Sequence, residues 1–495
     1  MALAQLADAA AGRGGRRRPG GRRTGARARP VRLLSDGARD LLAAAAAHAA
    51  DYLESLPERP VRADRDSAAA LAALPRALPD GPTDPRAVLD ELVADAEPGV
   101  TAMGSPRYFG FVIGGTLPAA LAADWMAAAW DQNAGLASPT PAAAAIEEVA
   151  GAWVIDLLGL PREASFAFVT GCQMAHVTCL AAARHRVLAE AGWDVERDGL
   201  AGAPRVRVIA TAGRHVTVDR ALRLLGLGSG CLEPVEADER GAMRPEALER
   251  ALAGGSGPTI VCAQAGDVNT GAVDPLDAVC DAAGGAGAWV HVDGAFGLWA
   301  MASPRRRGEL RGCERAQSWA TDGHKWLNVP YDCGIAVVAD RDAHRAAMAV
   351  QASYLQQGEP VREPMDWTPE FSRRARATPV YAALRSLGRN GVAELVDRLC
   401  ACADRFAERL GAEPGLEVVA HGLNQVLVRP VGDDGAADRL VAAVQADGTC
   451  YTTPTTWRGA RCMRISVSSW RTTEADVDRS VEAIVRALEI ARSRG

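Results

Sequence analysis

The sequence predicts an α/β fold: a mostly parallel central sheet with helices on both faces, a smaller C-terminal α+β domain, and a helical arm in front. Three observations predict it. From residue 166 to 338, short apolar β-rich runs alternate with helical segments, the pattern of a sheet assembled from strand and helix units. Past about residue 345 that alternation stops and strands and helices follow in a different order. The 495 residues, 48% hydrophobic and 23% charged, have the balance of an ordinary globular protein and suffice for two or three domains around a large core.

Taken in order, residues 1–34 read as a disordered tail. Nine arginines fall between Arg13 and Arg32 with no acid among them. Gly and Pro are interleaved and stacking aromatics are absent, a composition that cannot bury a core and lacks the marks of a nucleic-acid patch. The whole chain carries a formal charge of −6, so the body behind the tail is strongly acidic.

Residues 35–117 form the arm and a loop. Ser35 can cap a helix running to about Leu56, just before Pro57, and Asp84 with Pro85 opens another. Between them, residues 57–83 are rich in Pro, Arg and Asp and read as an extended connection. Residues 101–116 mix Tyr108, Phe109 and Phe111 with glycines and carry little helical signal. Such a loop either lines a pocket or tucks its aromatics into the core.

Residues 118–365 form the large domain. Its first forty residues are helical with interruptions at 131–135 and 138–141. Strands are expected at 166–170, 206–210, 259–263, 289–292, 318–321 and 334–338, with helices from about 173, from about 216 and near 275–284. In such a sheet ligands gather at the carboxyl ends of the strands.

Residues 366–495 form the small domain. Val380 to Leu387 and a long helix from Gly391 to about Leu410 lead to strands at 415–419, 424–429 and 463–467. A helix at 436–447 lies among them, and Thr472 or Thr473 caps the closing helix.

Function classes narrow quickly. Arg22-Arg23 stands ahead of the alanine-rich run 41–50, but Asp36, Arg39 and Asp40 intervene and helical spacing continues through Asp51, so an export signal is not expected. No window reaches the ~20 apolar residues of a membrane span. Eleven cysteines are scattered without paired spacing, which argues for a reducing compartment, and a cytoplasmic enzyme without nucleic-acid or membrane partners is expected.

The chemistry concentrates at two strand ends. Asp293 closes the apolar run Trp289-Val-His-Val292, where a lone carboxylate is expensive to bury. Lys325 follows the run 318–321 between His324 and Trp326, a setting that suits a lysine used covalently. An acid on one strand end and a lysine after its neighbour are what pyridoxal phosphate (PLP) chemistry needs. The amine forms a Schiff base with the cofactor aldehyde, while the carboxylate keeps the pyridine nitrogen protonated. His291 and Asp293 with His324 could also be drawn around a metal, but no third open-site ligand with support is visible, so none is expected.

Taken together, His291-Val-Asp293-Gly-Ala295 and Asp322-Gly-His324-Lys325 resemble runs of the group II PLP-dependent amino acid decarboxylases, the aromatic-L-amino-acid and glutamate type. The resemblance covers roughly residues 85–490 and implies a fold-type-I PLP-dependent transferase architecture, with active sites shared across a homodimer. It implies that His215 stacks on the cofactor ring, that Ala295 lies against it, and that Gly171, Cys172 and Gln173 cradle its phosphate at a helix start. Gly266-Asp-Val-Asn-Thr-Gly271 resembles another family run, bringing Asn269 and Thr270 to the cofactor or substrate, and Asp322 stands where asparagine often contacts phosphate. Two acids, Asp267 and Asp322, beside a dianion would oppose it, so one should point away or pair with an arginine.

Tyr108, Phe109 and Phe111 match a segment that lines the substrate pocket, and Asn133 a position reaching the partner's site, where Asn133 and Gly135 replace larger apolar groups. Tyr354, 29 residues beyond Lys325, matches the lid tyrosine that returns a proton to the carbon carbon dioxide has left, assisted by His324 or His215. In related aldehyde synthases a phenylalanine stands there. The expected activity is decarboxylation of an L-amino acid, aromatic or bulky side chains slightly favoured, to an amine. Transamination, oxidative deamination to an aldehyde, and a non-catalytic member are the alternatives. His176, His185 and the cysteines are read as structural.

Overall fold

The structure is a computed structural model describing residues 37–350, 362–432 and 435–493. The strands of the large sheet are β1 (Ser165–Val169), β2 (Arg207–Thr211), β3 (Leu232–Val235), β4 (Thr259–Gln264), β5 (Trp289–Asp293), β6 (Ser318–Asp322) and β7 (Gly334–Val338). Their spatial order is β1-β7-β6-β5-β4-β2-β3, parallel throughout except that β7 runs against both neighbours. Every strand but β7 therefore points its carboxyl end at one edge. Gly171, His215, Asp267, Asp293 and Lys325 all lie at or just beyond those ends.

Period-two alternation decides which face each side chain joins. In β4, Val261 and Ala263 enter one apolar core, while Ile260 and Cys262 enter the other. By the same rule Trp289, His291 and Asp293 share a face of β5, and Ser318, Ala320 and Asp322 share that face of β6. Helix Cys172–Glu190 covers it, contributing Ala175, Cys179, Leu180 and Ala183 to the core beneath. Polar groups on this face are thus sealed between sheet and helix as they approach the carboxyl edge.

The second sheet is antiparallel, β10-β11-β9-β8, from β8 (Leu416–Gly422), β9 (Gln425–Pro430), β10 (Thr453–Trp457) and β11 (Ala460–Ser466). Helix Ala377–Gly411 joins the two halves, packing on helices Pro118–Trp130 and Pro141–Leu157 as well as on β8. It bends at Gly388, whose φ of 61° glycine adopts without strain. The helix expected from Gly391 therefore extends back through Val380 to Leu387 as one kinked rod.

Strands β3 and β10 were not expected. Each carries a proline, Pro234 or Pro454, lies at a sheet edge and is half-exposed, so apolar alternation does not mark it. Helices Pro245–Ala253 and Arg341–Met348 were also not expected. The connection 57–83 contains helix Ser67–Ala73, capped by Asp66 accepting from the Ala69 amide. Gly37 precedes helix Ala38–Ser55, and Ser35 lies outside the described residues, as does the arginine-rich tail. Asp84 caps helix Pro85–Ala96, and Thr473 exchanges hydrogen bonds with Asp476 at the start of Glu474–Ser493. Among the described residues no helix is long and apolar enough to cross a membrane.

Candidate active site

Asp293 and Lys325 reach the same cleft because β5 and β6 are adjacent and parallel, Asp293 lying opposite Ala320. The Lys325 ammonium is 3.0 Å from Asp322 Oδ2. Burial alone would lower the lysine's pKa, but the Asp322 charge overrides it and the amine is held above its ordinary value. Asp322 Oδ1 also accepts the Cys172 amide at 2.6 Å. Of the two acids, Asp322 has the lysine itself as its cation, and Asp267 turns into its own loop with Arg464 as its opposing charge.

Asp293 is 6% exposed. Desolvation pushes its carboxyl up, yet His176, His215 and Lys325 outweigh this and hold it well below the usual carboxylate range. Oδ1 accepts the Ala295 amide at 3.1 Å, and Oδ2 lies 3.5 Å from His176 Nε2. His176 therefore touches the site. The Cys172 thiol completes this cluster, 3.4 Å from His176 Nε2, and burial, followed by the charges of Asp322 and Asp293, raises its pKa well above the ordinary thiol value.

His324 accepts the Cys333 amide at Nδ1, which leaves its proton on Nε2, 3.4 Å from Asp322 Oδ1. Its ring stacks on Tyr331 at 4.2 Å between centroids, and burial lowers its pKa, so it is neutral. His215 begins helix Val216–Leu224 and accepts from the Thr217 amide and hydroxyl, again placing the proton on Nε2. Its ring is open to solvent, but surrounding protein lowers its pKa, and the charged side chains acting on it include Asp293, Lys325 and Arg464.

Arg464, from β11, is the site residue that sequence reasoning missed. It is 8% exposed, its Nε has no hydrogen-bond partner among the described residues, and Asp267 is the nearest opposing charge. A buried guanidinium so placed calls for an anion. The one sequence signal was an arginine within the apolar run Met463-Arg-Ile-Ser-Val.

The turn 266–271 holds itself together. Asp267 accepts from the Asn269 and Thr270 amides, which explains an acid at that position, and the Thr270 hydroxyl oxygen lies 3.1 Å from it. Thr270 also donates to the Arg240 carbonyl, and Asn269 Oδ1 accepts from Thr455 of β10, so both side chains are committed within the protein. At the start of helix Cys172–Glu190 the Gln173 side chain donates to the Thr217 carbonyl. With the Cys172 amide taken by Asp322, the Gln173 amide is the first-turn donor left over.

The aromatic loop is divided. Phe109 is fully buried edge-on against Phe406, and Tyr108 is stacked on Tyr451 at 5.1 Å, so packing occupies both rings. Phe111 is exposed with φ of 53°, a conformation costly for a non-glycine residue. The loop presses on the site, since a side chain at Gly114 would collide with the Lys325 carbonyl. Asn133 Oδ1 accepts the Arg373 amide and its Nδ2 donates to Ser372, so its polar ends face its own chain. Tyr354 lies outside the described residues.

These residues fit PLP. Asp293 is a charged acceptor deep in the cleft, Lys325 is an amine at its mouth, and Arg464 with the Gln173 amide offers positive potential for an anion. Asp322 opposes a phosphate at the helix start unless Lys325 neutralises it.

A family model described as the pyridoxal-dependent decarboxylase conserved domain matches residues 68–429. An aromatic-L-amino-acid decarboxylase of Bacillus atrophaeus is 29% identical over 384 residues, covering 74% of this chain and 76% of that one. A phenylacetaldehyde synthase of Arabidopsis thaliana is 26% identical over 452 residues, covering 86% and 91%. The structure of Oryza sativa TDC with PLP and tryptamine superposes with a TM-score of 0.86 at 26% identity, covering 93% of this chain and 99% of that one.

Proposed function

The chain belongs to the pyridoxal-dependent decarboxylase family, and from that premise we propose that this PLP-dependent carboxy-lyase converts an L-amino acid with an aromatic or bulky side chain to its amine and carbon dioxide. The observation that carries the reading is the pairing of a buried, charged Asp293 with Lys325 on the adjacent strand end. The bound cofactor supplies an electron sink for the pair left behind when the carboxylate departs.

The protein's part is binding, orientation and proton handling. Lys325 Nζ would hold the cofactor aldehyde, Asp293 would keep a proton on the ring nitrogen, and Ala295 and His215 would contact the ring. Gly171, Cys172, Gln173, Asn269 and Asp322 surround the phosphate end, where Asp322 acts by holding Lys325 and the Cys172 amide. Arg464 takes the α-carboxylate of the substrate, answering its unsatisfied guanidinium. Phe111 and, across a dimer, Asn133 border the side-chain pocket, with Tyr108 and Phe109 packed behind. Tyr354 returns the proton, with the Nε2 protons of His324 and His215 within the same cleft.

A cytoplasmic homodimer is part of the proposal. The eleven cysteines are all unpaired and buried, which suits a reducing compartment. Helices Pro118–Trp130 and Pro141–Leu157 expose Trp125, Met126, Trp130 and Trp153, an apolar face for a second copy.

The test is a borohydride-reducible chromophore in the purified protein that Lys325→Ala loses, joined to a screen of amino acids for carbon dioxide release. A chromophore that survives in the alanine variant, or no release from any amino acid, overturns the reading. Release accompanied by ammonia and peroxide would assign the aldehyde branch.

A further inference from the structure

Behind Asp293, on the face of the sheet sealed by helix Cys172–Glu190, runs a chain of polar groups that the chemistry above does not use. Trp289 Nε1 donates to Ser318 Oγ at 2.9 Å. Ser318 Oγ lies 2.9 Å from His291 Nδ1, His291 Nε2 lies 2.9 Å from His176 Nδ1, and His176 Nε2 lies 3.5 Å from Asp293 Oδ2. Ser318, His291 and His176 are each 0% exposed.

The two ends fix the direction of every proton between them. An indole N–H can only donate and a carboxylate can only accept. Ser318 Oγ accepts from Trp289, so its own proton is available to His291 Nδ1. His291 then carries its proton on Nε2 and donates to His176 Nδ1, and His176 carries its proton on Nε2, facing Asp293. The reverse setting would turn a nitrogen lone pair toward the carboxylate, with only the weak S–H donor of Cys172, 3.4 Å away, to satisfy it. It would also leave the Ser318 hydroxyl without an acceptor among the described residues. Burial pushes the His291 pKa down to about 3, so that ring is neutral and its tautomer, not its charge, carries the information.

We infer that His291, Ser318 and Trp289 are positioning residues that lock His176 as an Nε2–H donor to Asp293, so that the carboxylate is held charged and aimed at the cofactor ring nitrogen. This rests on the reading that Asp293 serves that nitrogen. A merely structural network would satisfy the same hydrogen bonds without reaching the cofactor, and the two cases differ in what a variant changes.

The experiment uses the full-length protein, with and without PLP. Long-range proton–nitrogen spectra of histidine-labelled protein should show the ring protons of His176 and His291 on Nε2, and a proton on Nδ1 of either overturns the inference. His291→Leu removes the donor to His176, whereas His291→Gln keeps an N–H at the Nε2 position. His291→Leu should weaken PLP binding about tenfold and move the nitrogen signal of labelled PLP toward the unprotonated form, with His291→Gln within about twofold of the parent. Equal affinity and equal ring-nitrogen signal in all three overturns it. If His291→Leu does not fold, Ser318→Ala takes its place, with the His291 tautomer and PLP affinity as readouts and an unchanged pair of values overturning the inference. Failure of the parent protein to bind PLP sinks this inference and the proposed function together, whereas binding indifferent to these variants sinks this inference alone.

Discussion

One carboxylate, Asp322, holds both the Cys172 amide at the start of a helix and the Lys325 ammonium 3.0 Å away. The amine must lose a proton before it can capture the cofactor, and Asp322 opposes that loss. Asp322→Asn keeps an acceptor for the amide and removes the charge. Covalent capture of PLP should then reach its plateau at lower pH, by about one unit or more, since removing an adjacent opposite charge commonly moves a pKa that far. The capture rate followed by absorbance across pH checks this, and an unchanged midpoint would show that Asp322 does not govern the amine.

Arg464 makes opposite predictions for stability and for binding. Its guanidinium is buried without a hydrogen-bond partner at Nε, so Arg464→Met should leave the unfolding free energy unchanged or raise it. The same variant loses a charge-assisted contact to the substrate carboxylate, worth about 1.5–3 kcal/mol, and KM should rise by about 10- to 100-fold with PLP absorbance retained. A variant that loses PLP while KM holds would place the arginine on the phosphate instead.

Tyr354 decides product rather than cofactor in this reading. Tyr354→Phe removes the proton donor, so products should shift from amine toward aldehyde, with ammonia and peroxide released alongside carbon dioxide. Amine as the sole product at an unchanged rate would remove the tyrosine from the mechanism.

Much of this was legible in the residues, and what was not has physical causes. Asp293 and Lys325 stood out because a charge ending an apolar strand needs a partner, and the strand ends were readable from alternation. His176 was not, because its importance depends on how one turn of helix Cys172–Glu190 lies over β5, a relation between segments more than a hundred residues apart. Arg464 was hidden for the same reason, as it belongs to β11 of the second sheet, far in sequence from Asp267. Tyr108 and Phe109 show the converse. An aromatic loop poor in helical signal could either line a pocket or pack into the core, and two of its rings pack against Tyr451 and Phe406, partners that no spacing in the sequence announces.

Acid should destabilise the protein through two histidines. Burial lowers both His291 and His344 to about 3, whereas in the unfolded chain each titrates near the ordinary value of about 6.5. Below that value the unfolded chain binds more protons, so stability is present above about pH 6.5 and is lost as the pH falls toward 3. Each residue contributes a slope of at most about 1.4 kcal/mol per pH unit. Denaturant titrations at several pH values should show the slope reduced in His344→Gln, and a slope unchanged there would mean that His344 does not couple to folding.

The strongest single effect on stability is expected at Glu147, which has no part in the chemistry. It is 1% exposed on helix Pro141–Leu157 and meets Arg373 at 2.6 Å and Arg362 at 3.0 Å, residues that lie beyond the segment containing Tyr354. Arg373 also donates to the Ala134 and Phe168 carbonyls, tying the loop of Asn133 to the end of β1. Removing the acid leaves two buried cations facing each other, and breaking a buried pair in this way costs about 3–5 kcal/mol. Glu147→Ala should therefore unfold at markedly lower denaturant, and Glu147→Gln, which keeps an acceptor, should lose less. Replacing Glu147, Arg362 and Arg373 together by apolar residues of similar size should recover most of the loss, because no unpaired charge remains. A Glu147→Ala protein within about 1 kcal/mol of the parent would mean that the arginines find other partners.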